Sequence, residues 1–135
     1  MNGAGKRIVV VDDDPSVRRG LERLLKSAGY RVEAFASVQD MLNGADLDRA
    51  ACLVLDVRMP GPSGLDLQAA LAHDGSRVPI VFISGHGDVQ MAVRAMKSGA
   101  VDFLSKPFDA EELFDAIAEA MRRAPRSRQS RTPSP

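Results

Sequence analysis

Polar side chains stand at the ends of four apolar runs, and their types are those needed for chemistry on a phosphoryl group. Asp12 and Asp13 follow the first run, Asp56 ends the second, and Ser84 and Lys106 end the third and fourth. Three carboxylates held close together repel one another, and a hard divalent cation such as Mg²⁺ removes that repulsion. A metal, a cationic clamp and a nucleophile are the parts that phosphoryl transfer requires, and an aspartate can itself accept a phosphoryl group.

These side chains meet if the runs that carry them are parallel strands of one sheet. Each run is apolar on both faces, which is typical of a strand buried between two layers of helices. Runs at 7–12, 52–56, 78–84 and 101–105, with a weaker one at 31–35, alternate with amphipathic helical patterns. This alternation predicts a parallel α/β sheet with helices on both faces, and the chain is too short for an eight-stranded barrel. The carboxyl ends of the strands then share one crevice.

Capping residues mark the ends of the helices. Asp14 followed by Pro15 predicts the start of the first helix, and Gly29 predicts its end. Ser37, with Asp40 three residues later, resembles a capping box that opens a short second helix. The later helices are predicted at 64–72, from 89 to a stop at Gly99, and at 110–123.

The last two helices carry apolar stripes that predict which faces pack on the sheet. The stripe of the fourth helix is Val89, Ala92, Val93 and Met96, and that of the fifth is Leu113, Ala116, Ile117, Ala120 and Met121. Other apolar residues fall off the stripes and, with Phe103, suggest a partly apolar surface for a partner or a second copy: Met91, Ala95, Phe114 and Ala118. Scattered surface apolar residues explain them equally well.

Composition indicates one globular domain followed by a basic tail. Of the 135 residues, 44% are hydrophobic and 27% are charged, and neither a membrane span nor a secretory signal is expected. The single cysteine, Cys52, lies within an apolar run, which favours a buried thiol in a reducing, cytoplasmic compartment. Residues 122–135 carry five arginines and no acid, which leaves 13 basic and 18 acidic residues in 1–121, a net charge of −5. We expect a folded domain over 6–123 and a disordered basic Ser/Pro/Arg linker or tail over 124–135.

Four motifs, in order along the chain, resemble those of response-regulator receiver domains of two-component signalling. The resemblance is strongest to receivers of nitrogen-fixation and C4-dicarboxylate regulators. It implies a flavodoxin-like fold with strand order 2-1-3-4-5. The motifs are Val-Asp-Asp-Asp-Pro at 11–15, Leu-Asp-Val-Arg-Met-Pro-Gly at 55–61, Ile-Ser-Gly-His-Gly-Asp at 83–88 and Ala-Val-Asp-Phe-Leu-Ser-Lys-Pro-Phe at 100–108.

The resemblance also implies roles for individual residues. Asp56 would be the phosphoacceptor, and Asp12 and Asp13 would organise Mg²⁺, one of them through water. The backbone carbonyl of Arg58 would complete the metal ligands. Lys106 would pair with the phosphoryl group.

Three further expectations come from the same resemblance. Ser84 takes the position of the switch hydroxyl. Phe103 takes that of the aromatic switch residue and lacks the hydroxyl of the tyrosine often found there. The peptide bond between Lys106 and Pro107 is expected to be cis, a rare state in general.

Arg58 and His86 stand two residues after Asp56 and Ser84, respectively. Both side chains can therefore approach the phosphoryl site from opposite sides. We hypothesise that they tune the lifetime of the acyl phosphate by shaping the access of water. Neither His86 nor His73 has a partner at metal-ligand spacing.

The function that follows is a phosphorylation-activated switch and not an enzyme. The phosphodonor would be a partner histidine kinase. The fourth helix, fifth strand and fifth helix would control a homodimer or an output domain missing from this chain, which alone would contact nucleic acid. An aspartate-nucleophile phosphatase is disfavoured, because Arg58 stands where such enzymes carry a general acid. A phosphate-independent interaction module is the other alternative.

Overall fold

The computed structural model describes residues 5–58, 64–85 and 89–123. All strand pairs are parallel, and the sheet order is β2-β1-β3-β4-β5, which confirms the predicted α/β fold. The strands are β1 (Arg7–Val11), β2 (Arg31–Phe35), β3 (Cys52–Asp56), β4 (Ile80–Ser84) and β5 (Asp102–Ser105). The helices are α1 (Pro15–Ser27), α2 (Val38–Gly44), α3 (Gly64–His73), α4 (Val89–Lys97) and α5 (Ala110–Arg123), with a 3-10 turn at Leu47–Arg49.

The sheet buries both of its faces, as the uninterrupted apolar runs predict. Successive side chains of a strand point to opposite faces, so each central strand contributes to two core layers. One layer packs against α1 and α5 and contains Ile8, Val10, Cys52, Val54, Val81 and Ile83. The other packs against α2, α3 and α4 and contains Val9, Val11, Leu53, Leu55, Ile80 and Phe82.

Cys52 is a free, fully buried thiol at the start of β3. Burial away from water raises the pKa of this thiol to about 12. The thiolate, which is the reactive form, is therefore suppressed in the folded protein.

The predicted caps are present at the first two helices. Asp14 is the N-cap of α1, and its carboxylate accepts from the Ser16 amide at 2.9 Å. Ser37 caps α2 by accepting from the Asp40 amide at 3.0 Å. The chain leaves α1 through Gly29, whose φ of 93° is in the left-handed region that favours glycine.

The predicted orientation of α4 is wrong. Val89 is 71% exposed, and Val93 and Met96 are 48% and 42% exposed, so the apolar stripe faces outward. Ala95 is fully buried instead, and Met91 packs against the core layer on that side. Periodicity locates an apolar stripe but does not fix which side of the helix meets the sheet. Here the small Ala95 faces the body of the domain.

The fifth helix packs as its stripe predicts, through Leu113, Ala116, Ile117 and Ala120. Phe114, expected at the surface, is only half exposed and packs against the core layer of α1 and α5, while Ala118 is exposed.

Among the described helices, none combines the length and the apolar character that crossing a lipid bilayer requires. The predicted tail at 124–135 lies outside the described residues.

Candidate functional site

Three aspartates meet at the carboxyl ends of β1 and β3. One carboxylate oxygen from each of Asp12, Asp13 and Asp56 lies within 4.8 Å of the others. β1 and β3 pair directly, so the residues that follow them are held side by side. Asp12 and Asp56 are buried, whereas Asp13 is exposed and opens the cluster to solvent.

Asp56 is 4% exposed, and each of its carboxylate oxygens has a partner. Oδ1 accepts a hydrogen bond from the Arg58 amide at 2.9 Å, and Oδ2 lies 3.3 Å from Lys106 Nζ. Burial raises the pKa of the Asp56 carboxyl, and the negative charge of Asp12 adds to the rise, against the opposing effects of the Arg58 amide and Lys106. The site therefore holds a carboxylate whose charge is only partly compensated.

Asp12 has no exposed surface, and its two oxygens differ in their partners. Oδ1 accepts from the Asp14 amide at 2.9 Å. Oδ2 accepts no hydrogen bond, although it lies 3.0 Å from Lys106 Nζ as one half of an ion pair. The ammonium group of Lys106 is shared with Asp56, so it compensates the charge of this buried oxygen only in part, and a bound cation would add to that compensation.

Lys106 contacts both buried acids from the end of β5. Partial burial alone lowers the pKa of its ammonium group, but the contacts with Asp12 and Asp56 outweigh burial and raise it above the usual value. The Lys106 amide donates to the Ser84 carbonyl at 2.6 Å, which ties the lysine to the end of β4. The following peptide bond, to Pro107, is cis.

The donor set fits a hard divalent cation. Three carboxylates converge, one has a buried oxygen that accepts no hydrogen bond, and another is open to water. Oxygen ligands and retained waters are what Mg²⁺ prefers in proteins. Asp12, Asp13 and Asp56 could therefore hold such an ion.

Ser84 and Phe103 lie on the neighbouring strands β4 and β5. Ser84 ends β4 and is fully buried, and its strand partner in β5 is Ser105. Phe103 is half-buried, and its ring lies 6.1 Å from that of Phe82 at a tilt of 38°. The aromatic side chain of β5 thus rests partly inside the core layer that also contacts α4.

Arg58 reaches the site through its backbone, while its side chain is exposed. The metal contact of its carbonyl and the tuning role of its side chain stay predictions. His86 lies outside the described residues.

Two residues at the site were not found by sequence reasoning. Arg18 Nη1 donates to the main-chain carbonyl of Asp12 at 2.8 Å, which fastens the turn that carries the acid pair. Gly64 packs against the backbone at the end of β3, where an added Cβ would lie 3.0 Å from the Asp56 carbonyl oxygen. A glycine opening a helix signals such a close approach, whereas nothing in the sequence singles out Arg18.

Comparison with known proteins gives consistent matches. The sequence model of the response regulator receiver domain family matches residues 8–118. Nodulation protein W of Bradyrhizobium diazoefficiens is 53% identical over 123 residues, which cover 91% of this chain and 54% of that protein. Transcriptional regulatory protein FixJ of the same organism is 45% identical over 117 residues, covering 87% of this chain and 57% of its own length.

Among solved structures, that of response regulator StyR has a TM-score of 0.86 and 48% sequence identity. The match covers 95% of this chain and 65% of the StyR chain. The chain thus spans just over half the length of the two curated relatives above.

Proposed function

Because the chain belongs to the response regulator receiver domain family, we propose that it is a signalling switch in which Asp56 accepts a phosphoryl group from a partner histidine kinase. The observation that supports this proposal is the position of Asp56, between the ammonium group of Lys106 and the acids Asp12 and Asp13. A buried carboxylate with a cation on one oxygen and a metal-binding set beside it suits a phosphoryl acceptor.

In the transfer, a carboxylate oxygen of Asp56 forms a bond to the phosphorus of a phosphohistidine. The phosphorus–nitrogen bond breaks, and its electron pair stays on the imidazole of the kinase. The product is an acyl phosphate, which brings additional negative charge into the pocket. Ionised Asp56 is the reactive form, and Lys106 and the Arg58 amide favour that form.

Asp12, Asp13 and Asp56 would hold Mg²⁺, with the carbonyl of Arg58 as a further ligand. When bound, the ion supplies positive charge to the phosphoryl oxygens. Lys106 supplies a second positive charge, and the Ser84 hydroxyl supplies a hydrogen-bond donor at the end of β4. Oδ2 of Asp12 supports this assignment, because it is a buried ligand atom that accepts no hydrogen bond and shares the charge of Lys106 with Asp56.

The readout would be a rearrangement of the surface formed by α4, β5 and α5. The phosphoryl group changes the charge balance that Lys106 and Ser84 experience, which biases one of two arrangements of α4 and Phe103. The outward apolar face of α4, formed by Val89, Val93 and Met96, supports a contact with a second copy or an output domain.

The output is proposed to be transcriptional. The relative FixJ is named a transcriptional regulatory protein, and this chain matches 57% of it. Any contact with nucleic acid would then belong to an output domain beyond this chain. The chain itself would hold its phosphoryl group and not turn over external substrates, since Arg58 follows Asp56 where a phosphatase of this kind carries a general acid.

The test is to incubate the protein with acetyl phosphate and Mg²⁺ and to measure acid-labile phosphate. We expect incorporation in the wild type and none in Asp56→Asn, which keeps the size of the side chain. Asp109→Asn, at an exposed aspartate outside the pocket, serves as the matched control and should be phosphorylated normally. Equal incorporation in the wild type and Asp56→Asn, or none in either, would contradict the proposal.

A further inference from the structure

The first residue of α3 touches the backbone that carries Asp56. The Gly64 amide donates to the Val57 carbonyl at 3.2 Å. A Cβ added at Gly64 would lie 3.0 Å from the Asp56 carbonyl oxygen and 3.0 Å from Val57 Cα. No side chain therefore separates the start of α3 from the end of β3, and a displacement there would reach the helix directly.

One turn further along, the same face of α3 contacts α4. Gln68 lies four residues after Gly64, so the two share a side of the helix. Its side chain is 6% exposed, and its Nε2 donates to the Ala95 carbonyl at 3.1 Å. Ala95 is the one fully buried residue of α4. Gln68 thus bonds to α4 where that helix is most closely attached to the domain.

The two ends of α4 are held differently. At the carboxyl end, the Ala95 carbonyl also accepts from the Ala100 amide at 3.0 Å, and Gly99 adopts a φ of 103° that closes the last turn. Near the amino end, Val89 is 71% exposed, and Met91 holds the helix through apolar packing on the core layer. A helix held by directed hydrogen bonds at one end and by apolar packing at the other can pivot about the hydrogen-bonded end.

We propose that α3 forms a second connection between Asp56 and α4, parallel to that through Ser84 and Phe103, and that Gln68 is the positioning residue where α3 holds the pivot of α4. The inference rests on the proposed function, since it concerns how phosphorylation of Asp56 reaches the signalling surface. Gly64, at the start of α3, contacts Asp56 and Val57, and Gln68, one turn later, donates a hydrogen bond to the Ala95 carbonyl. The hydrogen bond of Gln68 then contributes to the balance between the two arrangements of α4.

A purely structural role for Gln68 makes a different prediction. A buried glutamine that only satisfies a carbonyl would, when replaced, weaken the domain as a whole. A positioning residue changes the response of α4 to the occupied site while Asp56 remains reactive. Coupling of this kind has to be measured as a difference between two states of the site.

The experiment compares the wild type with Gln68→Met, which keeps the length of the side chain but cannot donate a hydrogen bond. Amide hydrogen exchange is followed in α4 with and without beryllofluoride and Mg²⁺, and acetyl phosphate labelling of Asp56 is measured in parallel. Leu71→Met, at another buried position of α3, is the matched control. Gln68→Asn is a second variant, because its amide is one methylene too short to reach.

We expect α4 to exchange about 3- to 10-fold faster in unphosphorylated Gln68→Met and Gln68→Asn, the effect of losing one hydrogen bond. The further change that beryllofluoride causes in α4 should shrink by a similar factor, with acid-labile phosphate at the wild-type level. Leu71→Met should respond as the wild type does.

A wild-type response of α4 to beryllofluoride in both Gln68 variants would overturn the inference, as would a parallel rise in exchange throughout the chain. If the wild type itself acquires no acid-labile phosphate, the proposed function fails. That failure is distinct from an unaltered α4 response in a protein that is phosphorylated.

Discussion

Asp12 and Asp56 are both buried and share a single ammonium group, that of Lys106. With Asp13 beside them, the pocket holds more negative than positive charge from these four side chains. A buried excess of one sign lowers stability, because neither water nor a partner compensates it fully. The pocket therefore favours the binding of further positive charge, and without it the folded domain is less stable.

Asp56→Asn should raise the free energy of unfolding of the metal-free protein at neutral pH, by on the order of 1 kcal/mol. The folded pKa of Asp56 is raised, so the unfolded chain loses the proton at a lower pH than the folded protein does. As pH rises from the ordinary aspartate value through the folded pKa, ionisation of Asp56 progressively lowers stability, and above that pKa the loss is complete. Denaturant unfolding of both proteins across this range measures the difference.

The gain from Asp56→Asn should shrink as pH falls below the ordinary aspartate pKa, where the wild type is protonated in both states. Asp74→Asn, at an exposed position after α3, is the control for a change of net charge alone. Equal gains from Asp56→Asn at acid and neutral pH would rule out the charge explanation.

If the side chains of Arg58 and His86 shape the access of water, as hypothesised from the sequence, their removal should expose the acyl phosphate of Asp56 to water. We predict that Arg58→Ala and His86→Ala each shorten the phosphoryl lifetime several-fold, as measured by the decay of acid-labile phosphate after the donor is removed. The Arg58 amide that bonds Asp56 Oδ1 is retained in Arg58→Ala, so the change reports on the side chain. Unchanged lifetimes in both variants would end the tuning hypothesis.

At the scale of secondary structure, three strand ends and one helix build the site. Asp12 directly follows β1, Asp56 ends β3 and Lys106 directly follows β5, while α3 begins against the end of β3 through Gly64, a residue without a side chain. The absence of a Cβ at Gly64 allows α3 to begin against the backbone of Asp56. Close packing of this kind is sensitive to a single methyl group.

Gly64→Ala should destabilise the domain by about 1–3 kcal/mol, because the new Cβ would lie 3.0 Å from the Asp56 carbonyl oxygen and from the Phe82 ring. Gly20→Ala is the matched control within α1, where an added Cβ meets nothing within 4 Å. That change should stabilise the helix by about 0.5–1 kcal/mol. Denaturant unfolding distinguishes the two, and a loss of stability in both would refute the packing argument.

The strands and their parallel arrangement followed from the sequence pattern more directly than the orientation of α4, whereas the strand order came from the resemblance to receiver domains. A run such as Ile8–Val11 is apolar on both faces, and alternation with helices leaves few arrangements open. The carboxyl-end rule then brought Asp12, Asp56 and Lys106 together before any distance was known. The site lay within reach of sequence reasoning because strand ends, unlike side-chain rotamers, are fixed by topology.

Sequence reasoning did not reach features set by three-dimensional packing. The inward side of α4 is marked by Ala95, which carries almost no hydrophobic signal compared with Val89 and Val93. The hydrogen bonds of Gln68 and Arg18 join elements far apart along the chain or use main-chain carbonyls. Neither type of contact produces a periodic pattern that could be read in advance.

At the scale of the molecule, α4 presents an exposed apolar face in the same domain that carries the aspartate cluster. Val89, Val93 and Met96 lie along one side of α4, at spacings of four and three residues, and remain exposed. Leu42 is the other large exposed apolar residue in the described part of the chain. Val93 on α4 and Leu42 on α2 are therefore two exposed apolar residues on different helices, and comparing the same substitution at both tests the proposed signalling surface.

Val93→Asp should weaken association of the phosphorylated protein at least tenfold, since a charge would replace an apolar contact worth about 1.5–3 kcal/mol when buried. Sedimentation of the beryllofluoride-bound protein over a range of concentrations measures the change. Leu42→Asp should leave association unaltered while making the same change of charge. If both variants associate as the wild type does, α4 does not form the contact between copies.

The reactivity of the buried Cys52 can report on unfolding of the sheet. With its thiol pKa raised to about 12 and its side chain fully enclosed, Cys52 should resist alkylation while the sheet is intact. A brief pulse of iodoacetamide therefore counts the molecules in which β3 has come apart. Because Cys52 does not react in the folded protein, a cysteine introduced on the surface would be the sole target for a fluorescent or spin label. The native cysteine would not have to be removed.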